Sequence, residues 1–212
     1  QRAQKVGVYH FSTEIVQTTY PAPALTNAGR SSQTERLYLE GRVDTPARQM
    51  ELTLRPEGGN LLNRRDSFEV RIDGDQAYGR EPGREWREIQ DFSGAFAPAG
   101  DLLAYLAGAK NVRPSDGVRS SETDQYLYEI DGPAFAAYIR DQFKQYLVEK
   151  GELPPSVRLE SADLYRDVKG EGEVWLTPDD LPSRLSVDLT YPPEANGERV
   201  EAHITTDFFG FP

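Results

Sequence analysis

Alternation of apolar and polar side chains is the feature of this sequence that most restricts its fold. In the first such segment, the apolar side carries Tyr9, Phe11, Thr13 and Ile15. A period of two in aromatic and β-branched residues is typical of a strand that buries one face and exposes the other. Pro21 and Pro23 end this segment, because proline cannot donate a ladder hydrogen bond.

The same pattern recurs along most of the chain, and turns rich in Pro, Gly, Asp and Asn separate the segments. Segment 112–121 is interpreted as loop or short strand, and 157–168 as loop or short helix. Asp73-Gly74 between two strands predicts a tight hairpin. The pattern predicts strands over 6–20, 33–44, 49–55, 68–72, 76–79, 85–89, 123–130, 170–177, 183–191 and 198–208.

Two segments near the middle of the sequence have helical spacing instead. Leu102, Leu103 and Leu106 share one face of a helix predicted over 101–108. A longer helix is predicted over 133–150, since proline suits its first position and a glycine follows its end. Its broad apolar stripe consists of Phe135, Tyr138, Ile139, Gln142, Phe143, Tyr146 and Leu147.

The order of these segments predicts the fold class. Strands and helices do not alternate as in a parallel doubly wound sheet, and one-faced strands favour an antiparallel sheet with one dry side. The two amphipathic segments are the available cover for that side. The sequence therefore predicts an α+β, mainly β protein: a strongly curved antiparallel sheet, or incomplete β-barrel, with helices covering its concave face, in one domain spanning 1–212.

Composition excludes several classes of function. The formal net charge of -11 disfavours binding to nucleic acids and to anionic membrane surfaces, and favours solubility. The absence of cysteine excludes disulfides, thiolate metal sites and cysteine nucleophiles. Arg outnumbers Lys 19 to 5, which indicates a GC-rich or heat-adapted source. No apolar run approaches the roughly 18 residues that span a bilayer, and no signal peptide is seen at Gln1.

No catalytic, metal or cofactor motif is apparent. The sequence has neither a Gly-x-Ser-x-Gly nucleophile turn nor a glycine-rich phosphate loop. His10 and His203 fall on the polar sides of their strands, and the pairs Asp73/Asp75 and Asp179/Asp180 have the character of turns. We expect no enzyme and no cofactor. A pair of glycosidase acids, which meet only in space, stays open as an alternative.

Aromatic residues are concentrated around the central strand and the long helix. They are Tyr126, Tyr128, Phe135, Tyr138, Phe143 and Tyr146. Such a cluster is typical of an ordinary core. It is also compatible with an apolar cavity between helices and sheet that takes an acyl chain or a similar ligand.

A family resemblance arises in the C-terminal third. The stretch Gly172-Glu-Val-Trp-Leu-Thr-Pro-Asp-Asp-Leu-Pro-Ser-Arg-Leu-Ser-Val-Asp-Leu-Thr190 resembles a hairpin of the LolA/LolB-like and LppX/LprG-like bacterial lipoprotein carriers. The final strand, ending Thr205-Thr-Asp-Phe-Phe-Gly-Phe211, is similar to that family's last strand. The order of meander, helical centre and closing strands extends the resemblance over nearly the whole chain.

The resemblance implies a half-barrel that carries lipids or lipoproteins outside the cytoplasm, in the periplasm or at the cell surface. Many such proteins have a lipid anchor. Since this sequence contains no lipidation cysteine, we expect membrane association only through an anchor outside it. The family's ligand residues are diffuse cavity walls, so no signature residue carries over.

The first functional expectation is therefore a non-enzymatic cell-envelope protein that binds a lipid or another apolar molecule. The alternative is an extracytoplasmic interaction or sensory domain that binds a protein partner without a lipid, and a hydrolase of polar polymers is a third. The expected cavity walls, between the helices and the sheet, are Leu52, Phe68, Val70, Leu102, Leu103, Leu106, Phe135, Tyr138, Ile139 and Phe143.

Overall fold

The protein is described by a computed structural model that covers residues 7–24, 27, 29, 32–57, 67–74, 76–89, 97, 101–115 and 123–211. Within these residues there are two α-helices, α1 (Gly132–Glu149) and α2 (Asp163–Arg166), and a 3-10 helix at Ala104–Gly108. The strands are β1 (Val8–Tyr20), β2 (Gln33–Asp44), β3 (Gln49–Glu57), β4 (Phe68–Asp73), β5 (Gln76–Arg80), β6 (Arg87–Ile89), β7 (Ala109–Pro114), β8 (Asp124–Ile130), β9 (Lys169–Leu176), β10 (Pro182–Thr190) and β11 (Arg199–Phe209).

All of these strands form one antiparallel sheet with the order β6-β5-β4-β3-β2-β1-β11-β10-β9-β8-β7. The first and last strands are neighbours at its centre, and their register runs from His10 opposite Phe209 to Tyr20 opposite Arg199. Each half of the sheet is a meander that leads outward from this central pair. The two ends of the chain are thus joined in a single sheet.

One face of the sheet is buried, as the alternation predicts. At its centre the hydroxyl oxygens of Thr13 and Thr206 lie 2.9 Å apart, so two buried polar groups satisfy each other. The core around this pair includes Tyr9, Phe11, Leu39, Val43, Met50, Leu52, Val70, Leu185, Val187 and Ile204. The other face carries charged and hydroxyl side chains.

Helix α1 is anchored at its N-terminus. The Asp131 carboxylate accepts a hydrogen bond from the Ala134 amide at 3.0 Å, and a proline occupies the first turn. A Cβ at Gly132 would lie 2.4 Å from the carbonyl oxygen of Arg166, so only glycine permits this close approach to α2. At the other end of the helix, Glu149 forms a salt bridge with Arg48 in the β2–β3 turn.

The predicted fold class is wrong in its helical layer. Strands hold 51% of the described residues and helical segments 16%, and the described helices are too few to cover a face of the sheet. Of the 18 residues of α1 only Gly132, Phe135 and Ala136 are buried. Beyond the second turn the apolar stripe reaches the surface, where Phe143 is 54% exposed. The protein is a mainly β, open sheet, and an α+β half-barrel with a helical lid is not observed.

Most element predictions are confirmed. Strand bounds agree within about two residues, apart from position 6, which lies outside the described residues. The Asp73-Gly74 hairpin forms, with Gly74 at a φ of 64°. The helix predicted over 101–108 is a 3-10 helix at Ala104–Gly108, preceded by a turn in which the Asp101 carboxylate accepts a hydrogen bond from the Leu103 amide at 2.8 Å. Segment 112–121 is strand up to Pro114, and residues 116–121 lie outside the described part.

The outer strand β7 is poorly suited to pairing with another chain. Its register against β8 shifts between Lys110 and Arg113, Asn111 adopts a φ of 52°, and the strand ends at Pro114. Bulges, prolines and cations are the means by which proteins protect sheet edges. A partner is therefore not expected at this edge. Among the described helices, none combines the length and hydropathy that crossing a bilayer requires.

Candidate functional site

The polar face of the sheet contains a groove of about 590 Å³ where β1 and β8 to β11 lie side by side. Its lining comes from five strands, so the register of the sheet determines its chemistry. The residues that line it are Val16, Thr18, Glu129, Lys169, Gly170, Glu171, Asp188, Leu189, Thr190, Glu201, Ala202 and His203.

The register arranges these side chains in two rows across the strands. In the first row, Glu129 lies opposite Glu171, Glu171 opposite Asp188, and Asp188 opposite His203. Val16 of β1 completes that row. The second row contains Lys169, Thr190, Glu201 and Thr18. The groove therefore holds four carboxylates, one lysine and one histidine.

The first row places like charges in directly opposite positions on neighbouring strands, which disfavours the sheet locally. Glu171 lies between Glu129 and Asp188, and within the described residues it forms no hydrogen bond or salt bridge. Glu129 accepts a hydrogen bond from the Asn111 side chain at 3.1 Å, which leaves its charge uncompensated. Glu129, Glu171 and Asp188 thus form a negative strip that a bound cation would neutralise.

The second row is better balanced. Glu201 accepts a hydrogen bond from the Tyr20 hydroxyl at 3.0 Å and pairs with Arg199 at 3.4 Å. The hydrogen bond to Glu201, together with its negative charge, raises the pKa of Tyr20. Excess negative charge is therefore concentrated on the strip formed by Glu129, Glu171 and Asp188.

His203 connects this strip to a short hydrogen-bonded chain. Its Nδ1 lies 2.7 Å from Asp188 Oδ1, and its Nε2 lies 3.2 Å from the Thr205 hydroxyl. The order hydroxyl, imidazole, carboxylate is the one used by nucleophilic hydrolases. Here, however, the side chains of His203 and Asp188 are 47% and 65% exposed. The neighbouring amides belong to strands paired on both sides, so they are not free to stabilise an oxyanion.

The arrangement also fails to form a metal centre. Within the described residues, no three His, Asp or Glu side chains are close enough together to hold a metal ion. The carboxylates of the row point from separate strands along an open groove. Such a strip is better suited to an extended cationic group, whose donors are spread out, than to a point charge.

The residues expected from the sequence to line a cavity lie elsewhere. None of the ten lines the groove on the polar face. Leu52, Val70, Leu102, Leu103 and Phe135 are buried in the core, whereas Phe68, Leu106, Tyr138 and Ile139 are partly buried and pack against it. Phe143 is 54% exposed. Whether any of these residues contacts a ligand stays a prediction.

The structure nevertheless brings some of these residues together. Leu52 and Val70 are directly opposite each other on β3 and β4. The ring of Phe135 stacks on Tyr105 with centroids 5.3 Å apart and meets the edge of Tyr165 at 5.6 Å. A Cβ at Gly108 would lie 2.8 Å from the Cβ of Phe135. Around the base of α1, aromatic side chains therefore pack directly on each other.

Sequence reasoning missed the acidic strip. It treated His203 as a solvated strand residue and singled out none of the four groove carboxylates. The sequence does carry a polar side chain at each strand position that the sheet brings into this strip. Using that signal requires the registers of β8 with β9 and of β11 with β1, which join segments far apart in the sequence.

Comparisons with known proteins give little further help. No family model matches the sequence, and no curated protein matches it. Among solved structures, a hypothetical protein from Chlamydia trachomatis is similar over 93% of this chain and 90% of its own, with 6% identity and a TM-score of 0.29. A bifunctional dehydratase-cyclase domain in ambruticin biosynthesis matches 99% of this chain and 78% of its own, with 13% identity and a TM-score of 0.17. TM-scores this low carry no argument about fold or function.

Proposed function

We propose that this protein is a non-enzymatic interaction domain whose polar-face groove binds an arginine- or lysine-rich segment of a protein partner. The observation that carries the proposal is the strip of Glu129, Glu171 and Asp188, aligned along a groove of about 590 Å³. Like charges placed opposite each other disfavour the sheet, whereas a cationic ligand would turn the same charges into favourable contacts.

The size and lining of the groove suit a side chain of this kind. Ligand pockets commonly have volumes of about 300–1,000 Å³, so the groove is large enough for one or two long side chains. The guanidinium of an arginine can donate to Asp188 and Glu171, which lie directly opposite each other on neighbouring strands. The net charge of -11 would attract such a segment from a distance and speed up its association.

The interior of the protein supports this proposal over the apolar-ligand expectation. That expectation depended on a helical layer over the sheet, which the fold does not have. Phe135, one of the residues expected to line the cavity near α1, packs against Tyr105 and Tyr165 instead. Binding to a protein partner through the polar face requires neither a lid nor an internal cavity.

The experiment measures binding of a fluorescent nona-arginine peptide by anisotropy at low and high salt. We expect Glu171→Gln to weaken binding about three- to fivefold, as for a partly exposed ion pair. Glu51→Gln is the matched control, because it removes the same charge from an exposed position of β3 outside the groove. Equal affinities for the two variants would contradict a role of the groove.

The alternative function, binding of a lipid or another apolar ligand, is tested with the same protein preparations. Native mass spectrometry after gentle purification would detect a lipid bound to the folded chain. We expect the mass of the polypeptide alone. A lipid that co-purifies reproducibly, together with peptide binding that is insensitive to Glu171→Gln, would contradict the proposed function and favour the carrier.

A further inference from the structure

A buried tyrosine on β8, away from the groove, has an unusual setting. Tyr128 is 3% exposed and lies opposite Gly172 of β9. A Cβ at Gly172 would lie 2.5 Å from both Cζ and Oη of Tyr128. The phenol head therefore lies directly on the backbone of β9, and only glycine leaves room for it there.

The hydroxyl of this tyrosine makes no hydrogen bond to any residue in the described part of the chain. More than nine in ten buried polar groups in proteins have a partner. An unpaired buried hydroxyl lowers the folding equilibrium constant by about tenfold or more. A hydroxyl buried at this position is therefore expected to have a partner other than the protein groups of the described residues.

Other polar atoms lie close by. The same hypothetical Cβ on Gly172, which would lie 2.5 Å from Tyr128 Oη, would also lie 2.8 Å from the carbonyl oxygen of Ser186 on β10. A carbonyl oxygen has two lone pairs, so it can accept a second hydrogen bond besides that of the ladder. The Tyr105 hydroxyl, which is hydrogen-bonded to Tyr191, is near enough to interact electrostatically with Tyr128.

Ionisation does not remove the need for a partner. Burial raises the pKa of Tyr128, so the hydroxyl keeps its proton and with it both a donor and an acceptor. Among the described residues no protein group supplies the missing bonds, and a water molecule can both accept from the phenol and donate to a carbonyl.

We propose that Tyr128 Oη and the Ser186 carbonyl hold an internal water molecule between β8 and β10, and that this water is an integral part of the core. The Tyr128 hydroxyl donates to the water, and the water donates to Ser186. This inference concerns the buried face of the sheet and is independent of the groove.

Two measurements test it. Tyr128→Phe is expected to lower the folding equilibrium constant about tenfold in chemical denaturation, because the water loses its anchor. Tyr78→Phe, which removes a hydroxyl bonded to the exposed Gln76, is expected to change it by no more than about twofold. A high-resolution crystal structure is expected to show an ordered water about 2.8 Å from Tyr128 Oη.

The signs of these effects make the test decisive. If the hydroxyl were simply unpaired, its removal would leave stability unchanged or raise it. Equal or higher stability of Tyr128→Phe would overturn the proposal. So would a well-ordered crystal structure in which no water lies beside Tyr128 Oη.

Discussion

Asp188 Oδ1 on β10 and His203 Nδ1 on β11 lie 2.7 Å apart, directly opposite each other in the ladder. Asp188 is the carboxylate at one end of the strip, and this contact fixes the orientation of the His203 imidazole. On its far side, His203 Nε2 lies 3.2 Å from the Thr205 hydroxyl. Both ring nitrogens are therefore engaged, although the ring is partly exposed to solvent.

This contact predicts the tautomer of His203. An ionised carboxylate can only accept hydrogen bonds, so in the neutral ring Nδ1 carries the proton and Nε2 accepts from Thr205. Long-range proton–nitrogen correlation spectra are expected to show the Nδ1–H form in the wild type and a shift towards Nε2–H in Asp188→Ala. A wild-type ring protonated at Nε2 alone would show that Asp188 does not set the tautomer.

The two phenylalanines of α1 are predicted to differ strongly in their contribution to stability. Phe135 is 1% exposed and packs against Tyr105 and Tyr165, whereas Phe143 is 54% exposed. Phe135→Ala is expected to lower the free energy of unfolding by about 3–5 kcal/mol. Phe143→Ala is expected to lower it by about 0.5 kcal/mol. Urea denaturation measures both, and similar losses would mean that the exposed half of α1 is buried in solution.

The buried hydroxyl pair at the centre of the sheet gives a third prediction. Thr13→Val removes one partner of the 2.9 Å contact and leaves the Thr206 hydroxyl buried without it, at a cost of about 1–3 kcal/mol. The double variant with Thr206→Val replaces both partners by groups of the same shape, so we expect it to be close to wild type. Losses that simply add in a double-mutant cycle would contradict this coupling.

Buried tyrosines predict loss of stability at alkaline pH. Burial raises the pKa of Tyr191 to about 12, from an ordinary value of 10.0. A folded state that holds the proton more tightly than the unfolded state is fully stable below pH 10 and loses stability as the pH rises towards the folded pKa. A pKa difference of two units between the folded and unfolded states lowers the free energy of unfolding by about 2–3 kcal/mol at pH 12.

Denaturation curves across this alkaline range measure the effect. In Tyr191→Phe the slope of stability against pH is expected to be shallower above pH 10 and unchanged below it. A slope identical to that of the wild type would show that other groups cause the alkaline loss.

The strands of this protein could be predicted from sequence because each carries its own signal. Alternation placed Tyr9 and Phe11 on the buried face, and prolines and glycines marked the turns. The role of α1 could not be predicted in this way. A stripe of apolar residues shows which face of a helix can be buried, but the extent of that burial depends on the elements that pack on it, here the 3-10 helix and α2.

The groove could not be predicted for a different reason. The turn between β9 and β10 sets their register locally, which brings Glu171 opposite Asp188. Glu129 joins them only because β8 pairs with β9 after the intervening helices. A charged row that crosses several strands is therefore a property of the assembled sheet, and no single segment of the sequence carries its signal.

Nuclear magnetic resonance mapping of the arginine-rich peptide on the folded protein tests the central proposal most directly. Binding in the groove predicts backbone amide shift changes concentrated at Glu129, Glu171, Asp188 and His203, which are lost in high salt and reduced in Glu171→Gln. Changes concentrated instead on α1 around Phe143, or spread evenly over the acidic surface, would contradict a specific site on the polar face of the sheet.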